Sequence, residues 1–320
     1  MTILKQIVLA LLLVVSITAL LASGDNHSVA YTKLGIDARL TGMGGAGAGF
    51  LDNVSATFLN PATLADVKRH EIAFSYRANM EYDRNFLSAA AGFELPLGYI
   101  ALSWLHAGTN DLIGTGMSGE PTGNFDDYEN NINLSYALKI GHFNFGLTPK
   151  LYLSKIDADS KNGYGIDLGA LWHVNRYFNA GFVARELVSE FDGKKNTRDL
   201  IPGIAAFPVP GLVIAADLVG ENDFDTTKLR FGAEYWIGAG EDDNRGSSTT
   251  GVRVRESSTW SNVFAKTQAG IRAGLNDGQF GCGFGLRFSM FEVNYAYQLT
   301  DKDSTLDTKD HHLVSLSLRF

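Results

Sequence analysis

The sequence predicts an all-β fold, a transmembrane antiparallel β-barrel of about 14 strands with an N-terminal plug segment inside the lumen. Three observations predict it. From Glu71 onward, segments of two-residue alternation follow one another with turn residues between them. Most have the ~9 to 11 residues that a tilted membrane-crossing strand requires. Tight and longer connections then alternate along the chain, as they do when every second turn lies on the same side of a membrane.

The chain starts with "MTILKQIVLALLLVVSITALLASG", in which one positive charge at Lys5 precedes an apolar run from Ile7 to Ala22. A charged start, an apolar run and small residues after it make a secretory signal peptide over residues 1–22, which implies export. The run falls short of the ~20 residues of a spanning helix.

Next comes "LTGMGGAGAG", Leu40 to Gly49, with a literal GxGxxG at Gly42, Gly44 and Gly47. That fingerprint binds a dinucleotide only between a strand and a helix N-terminus inside a βαβ unit. Here the chain is exported, and Asn60-Pro61 interrupts the place where the second strand would lie. Residues 23–70 read instead as a plug. A barrel of this size has a lumen too wide for wall side chains to fill, since diameter grows with strand number. Glycine and alanine let a chain run close to the wall. Leu40, Met43, Phe50, Leu51, Phe58, Leu59 and Leu64 would serve no purpose in a flexible linker. The residues expected to carry the plug are Gly42, Gly44, Gly45, Gly47, Asp52, Asn60 and Pro61.

The barrel occupies 71–320, with strands predicted near 71–79, 86–94, 97–107, 130–140, 143–155, 163–174, 177–187, 200–207, 211–219, 228–237, 264–275, 279–288, 290–299 and 311–320. In "FEVNYAYQL", Phe291, Val293, Tyr295, Tyr297 and Leu299 share one face, and Glu292, Asn294 and Gln298 the other. In "GYGIDLGALWHV", Tyr164, Ile166, Leu168, Ala170, Trp172 and Val174 oppose Asp167, Gly169 and His173. In "FGCGFGLRF", the face of Phe280, Cys282, Phe284, Leu286 and Phe288 opposes Gly281, Gly283, Gly285 and Arg287. The apolar face suits lipid and the polar face the lumen.

Tight turns fall at "LPL", "GH", "NR", "PVPG" and "SM"; longer connections include "GTNDLIGTGMSGEPTGNFDDYE", "VSEFDGKKNTRD" and "TDKDSTLDTKD". One connection breaks the rule. Residues 238–262, "GAGEDDNRGSSTTGVRVRESSTWSN", stand where a short periplasmic turn belongs, so that either a strand pair is hidden there or the protein carries an insertion. The chain closes on "HHLVSLSLRF", with Val314, Leu316, Leu318 and the terminal Phe320 on one face. In known outer-membrane barrels, and beyond what periodicity itself shows, a final aromatic on an alternating strand is what the barrel-assembly machinery of Gram-negative bacteria commonly recognises.

The polar faces carry Arg77, Lys139, Lys150, Asp167, Arg185, Asp217, Arg230, Glu234, Lys266, Arg272, Arg287, Glu292 and Arg319. An Arg or Lys on the lipid face would cost ~2 to 4 kcal/mol at the midplane, which puts these groups in the lumen. Their expected role is pairing with one another and with plug residues such as Asp37, Arg39 and Asp52.

Other classes fall away. A net charge of −8 without a basic run excludes nucleic-acid binding. Cys282 is the only cysteine, so no intramolecular disulfide forms. The histidines at 27, 70, 106, 142, 173, 311 and 312 lack metal-ligand spacing. His173 and Asp167 share a face but stand roughly 20 Å apart along a strand, too far for a dyad. The expectation is a non-enzyme without cofactor or metal.

"LGIDARLTGMGGAGAGFLDNVSATFLNPATLA" resembles the N-terminal signature of the PorV/PorQ family of outer-membrane barrels, which is similar in turn to the fatty-acid transporter FadL. The shared parts are GMGGA at Gly42 to Ala46, the acidic and small residues from Asp52 to Ala56, and the Asn-Pro-Ala turn at Asn60 to Ala62. "FGAEYWI", "AGIRAGLNDG", "GFGLRFSMFEVNYAYQL" and the closing strand also resemble that family. Thr63, where the family often has Gly, and the 238–262 segment depart from it. The resemblance implies a Gram-negative outer-membrane protein in contact with lipid. FadL-like members pass hydrophobic compounds such as long-chain fatty acids; PorV-like members bind exported protein cargo in the type IX secretion system.

Overall fold

In the computed structural model, which describes residues 29–78, 84–238, 267–299 and 310–320, the alternating segments form one closed antiparallel sheet. Its strands are β1 (Glu71–Ala78), β2 (Asn85–Leu95), β3 (Gly98–Thr115), β4 (Pro121–Ile140), β5 (Phe143–Ile156), β6 (Asp159–His173) and β7 (Phe178–Phe191). They continue with β8 (Asp199–Ala206), β9 (Leu212–Glu221), β10 (Thr226–Ile237), β11 (Gln268–Asn276), β12 (Gln279–Phe288), β13 (Phe291–Gln298) and β14 (His311–Arg319). A two-residue arm, Lys194–Lys195, folds back on β7. Each strand pairs with its chain neighbours, and β1 pairs with β14 from Glu71↔Arg319 to Ala78↔His312, so no edge is left open.

The strands reach further than the alternation suggested at one end. Residues 108–129, expected as a loop, continue the β3–β4 hairpin to Thr115 and Pro121, with a register shift between Thr109 and Leu112 where Asp111 takes a φ of 57°. Strand β7 likewise runs to Phe191. Both faces of the extended β3–β4 hairpin tip are largely exposed, so no period-two pattern marks it. The 238–262 segment raised the question of a hidden strand pair. Strands β10 and β11 are direct neighbours, Ile237 opposite Ala269, and the ring closes with fourteen strands without it. Beyond Gly238 that segment lies outside the described residues, as do the signal peptide, Lys266 and most of "TDKDSTLDTKD".

The faces fall as the alternation requires. Phe74, Leu102, Ile271, Phe284, Val314, Leu316 and Phe320 are exposed on the outside, while Arg77, Asp167, Glu234, Arg272 and Glu292 are buried inside. Among the described residues no helix is long and apolar enough to cross a membrane. Phe284 sits in the middle of β12 and is half exposed. Phe284→Arg is expected to destabilise the barrel by ~2 to 4 kcal/mol in lipid vesicles, and Phe284→Leu to leave it nearly unchanged. Denaturant unfolding of both variants checks this; equal midpoints would mean that this face does not meet lipid.

Residues 29–67 lie within the ring. Leu40, Leu51, Val54, Leu59 and Leu64 pack on wall residues that include Ala73, Ala90, Ala101 and Ala137 beside Tyr99, Val183, Ile201 and Val219. Nearer the end with the long hairpins, Val29, Tyr31 and Ile36 pack on Phe86, Leu105 and Tyr152. The segment descends from there to the end that holds the short turns and the C-terminus, where it feeds β1.

Candidate functional site

The local structure of the inner segment follows from its polar residues. Asp37 caps the short helix α1 (Ala38–Gly42), its Oδ1 accepting from the Leu40 N–H at 2.8 Å. Asn60 caps the 3₁₀ turn Pro61–Asp66: its Oδ1 accepts from the Ala62 N–H at 3.0 Å, and Pro61 fills the first position, where no N–H is needed. The other side of the same amide donates to the Ala48 carbonyl at 2.6 Å and ties the turn to the glycine-rich stretch.

Gly44 answers for the motif. Its φ is +62°, and a Cβ there would stand 2.5 Å from the backbone N and O of Leu275. The wall leaves room in the same way, since a Cβ on Gly274 would stand 2.3 Å from the Gly44 nitrogen and one on Gly232 2.3 Å from the Met43 carbonyl oxygen. Segment and wall thus meet backbone to backbone. Gly42 lies against Arg272, Gly45 against Arg230, and Gly47 against Leu40 and Leu59. The N–H groups of Gly47 and Ala48 donate to Asp217 Oδ2 at 2.8 and 3.0 Å.

Beside this contact lies a buried ion network. Arg39 grips Glu234 with two nitrogens, Nη2 to Oε1 at 2.7 Å and Nε to Oε2 at 2.9 Å, and reaches Asp52 at 2.6 Å. Arg272 approaches Glu234 Oε2 at 3.1 Å. Around the ring, Arg287 and Arg319 share Glu292, and Arg319 touches Glu71, whose other oxygen accepts from the Val54 N–H at 3.0 Å. Burial would raise the Asp52 carboxyl, but the Arg39 guanidinium, with Arg287 and Arg319 behind it, holds it below the usual range. Burial wins at Asp37 and pushes its carboxyl up. At the short-turn end Asp66 meets His173 Nε2 at 3.1 Å and Lys139 at 2.9 Å, and against its burial these partners hold it low.

A second network sits where β7 bulges against β6. There Arg185, Glu186 and Leu187 oppose Asp167 alone, and Glu186 takes a φ of 53°. Lys150 bridges Asp167 at 2.6 Å and Glu186 at 2.9 Å, while the Tyr152 hydroxyl donates to Glu186.

The structure therefore divides the expected lumen charges. Glu234, Arg272, Arg287 and Glu292 meet the inner segment or its neighbours; Lys150 and Asp167 join the β7 bulge. Arg77, Arg185 and Arg230 stand apart, on β1, β7 and β10, around one cavity of about 190 Å³ between the wall and residues 33–45. Asn276, Gln279, Gln298 and His311 at its rim belong to strand ends on the long-hairpin side, so the cavity lies toward that end. Arg77 donates to the Gly35 carbonyl and Gln298, Arg185 to the Phe58 carbonyl, and Arg230 to Asn276. Glu71, Glu186 and Tyr152 were not among the expected site residues. They show only when the β7 bulge and the β1–β14 seam are known. Among the described residues no cluster could hold a metal ion.

No known protein-family pattern matches the chain, and no curated protein does. Solved structures do match its fold. The toluene transporter TbuX of Ralstonia pickettii superposes with a TM-score of 0.60 at 11% identity, over 89% of this chain and 98% of that one. The toluene transporter TodX of Pseudomonas putida gives 0.54 at 10% identity, over 93% and 98%. A FadL homologue of Pseudomonas aeruginosa gives 0.53 at 11%, over 89% and 98%. The chain has the fold of these barrels.

Proposed function

We propose that this protein is a FadL-like outer-membrane barrel of a Gram-negative bacterium that passes hydrophobic compounds inward, long-chain fatty acids among the candidate cargoes. In this reading residues 1–22 are a signal peptide, 23–70 the plug and 71–320 the barrel. The observation that carries it is a closed ring with an apolar exterior whose lumen is filled by the chain's own N-terminal segment, leaving a cavity on the long-hairpin side. A water-filled porin would leave its lumen open. The shared fold with transporters of toluene fits this class of cargo by fold-level analogy alone.

The PorV/PorQ resemblance supplies a second reading, a type IX secretion component that binds exported protein, with the 238–262 segment as its contact. Native mass spectrometry of the protein gently extracted from its own membrane separates the two. A bound small molecule, lost on delipidation, is the expected result. A bound protein with no small-molecule adduct would overturn the conduit.

A further inference from the structure

We infer that the outer wall of β3–β5, where the apolar band gives way to the long hairpins, binds the sugar headgroup of a glycolipid in the surrounding leaflet. The inference rests on placement in an outer membrane and not on what crosses the lumen.

The two ends of the wall carry aromatic rings of different chemistry. Near the short turns rings stack on one another, Phe143 with Phe145 and Trp172, and Phe288 with Phe291. Toward the long hairpins the rings carry polar atoms held by polar neighbours: the Tyr76 hydroxyl donates to Asn85 at 3.0 Å, and the Tyr295 hydroxyl meets His312 Nδ1 at 2.7 Å. Aromatic residues with a polar tip suit a boundary that is apolar on one side and hydrogen-bonding on the other. Such a difference between the ends is what a membrane with unlike leaflets calls for.

The polar belt is most developed on β3 and β4. Trp104 and His106 stack with centroids 5.7 Å apart, and Tyr128 continues the row 5.7 Å beyond His106. One amide oxygen orders the first two rings. Asn130 Oδ1 accepts from Trp104 Nε1 at 3.1 Å and lies 3.0 Å from His106 Nδ1. An acceptor there calls for the ring proton on Nδ1, which leaves Nε2 of the neutral imidazole as an acceptor. The Tyr128 hydroxyl is fixed by Asn110 at 2.8 Å and Asp126 at 3.0 Å. Gly108 lets the rings meet, since a Cβ there would stand 2.9 Å from both His106 Nε2 and the Tyr128 ring. Three rings thus form one ordered shelf on the outside of the barrel.

The surroundings select the occupant. Leu102, Ile132 and Leu134 are exposed on the same face of the same strands, one step toward the short turns, so the shelf continues the lipid-facing wall. A ligand that spans both is a lipid whose head meets the rings. A sugar ring lays its C–H bonds on aromatic faces and offers hydroxyls to the imidazole and amide groups; a glycerol phosphate head has no ring to lay there. Two charges flank the shelf. Asp126 is engaged by Tyr128 and by the Asp111 N–H at 3.0 Å, while Lys155, exposed and opposite Tyr128 on β5, suits a phosphate carried by the sugar.

The test uses the full-length barrel in non-ionic detergent and native mass spectrometry with lipid A, phosphatidylglycerol or glucosamine 1-phosphate added. Lipid A is expected to bind at least tenfold more tightly than either of the others. Trp104→Leu combined with His106→Leu is expected to weaken lipid A fivefold or more, to leave phosphatidylglycerol unchanged and to keep the heat-modifiable gel shift of the folded barrel. Trp172→Leu, at the other end of the wall, is expected to leave lipid A binding as it is. Asn130→Leu keeps both rings but frees them, and is expected to weaken lipid A at least threefold, so the shelf is tested even if the double variant does not fold. Lipid A bound no more tightly than phosphatidylglycerol overturns the inference, as does lipid A binding that Asn130→Leu leaves unchanged. Glucosamine 1-phosphate bound as tightly as lipid A would also overturn it, since the shelf would then serve a free sugar phosphate. None of these outcomes bears on the conduit, which stands or falls with the small molecule carried by the membrane-extracted protein.

Discussion

Deleting residues 29–67 turns the barrel from a sealed wall into a conducting pore. The expected readout is a step in single-channel conductance in planar bilayers, absent from the intact protein, together with sensitisation of cells to large antibiotics. The physical reason is dimensional. A ring of eight strands is filled by its own side chains, and one of sixteen to eighteen leaves a water channel. With fourteen strands this wall is near the upper case, and many of its inward residues at the contact, Ala73, Ala90, Ala101, Ala137, Gly232 and Gly274 among them, fill little of the lumen. The seal is therefore expected to come from Leu40, Leu51, Leu59, Leu64 and their neighbours, all brought by the segment. The strands themselves keep every backbone partner, so the deleted protein is expected to retain its β circular dichroism. An unchanged conductance would mean that wall side chains close the lumen unaided.

Glu234→Gln is expected to be the most damaging single substitution at the segment–wall contact. Glu234 is buried and holds Arg39 from the segment and Arg272 from the wall at once. Removing its charge leaves two guanidinium groups facing each other with one carboxylate fewer, and breaking a buried pair in this way costs about 3–5 kcal/mol. Denaturant unfolding should show a loss of that order. Arg39→Met in the same chain is expected to recover part of it, because the second buried charge then disappears as well. A double variant no better than Glu234→Gln alone would show that the pair is not the coupling unit.

Much of the fold was legible because lipid imposes a strict pattern. Where one face meets hydrocarbon and the other the lumen, as in "FEVNYAYQL", alternation gives both strand and register. Where both faces are largely exposed, as at the tip from Asn110 to Asp126, no apolar alternation marks a strand, and the hairpin is set by its backbone ladder and by side-chain bonds such as Tyr128 to Asn110. The candidate site was legible in its parts and not in its grouping. The glycine stretch and the inward charges stand out in the sequence. That Asp217 would hold Gly47 and Ala48, or that Arg77, Arg185 and Arg230 would ring one cavity, depends on strands far apart in the chain. The β7 bulge was invisible because two extra residues leave no trace in composition.

The close approach of Met43 and Gly44 to Gly232 and Gly274 also bears on the order of assembly. Backbones this close leave no passage along which a folded ring could later be threaded by its own N-terminus. The segment is therefore expected to lie in place while the strands are still an open sheet, with closure following. The last seam, β1 against β14, joins the strand that the segment feeds to the strand that ends the chain. Newly made full-length protein is therefore expected to enclose its first part as its last part arrives, an order that the protein lacking residues 29–67 does not need.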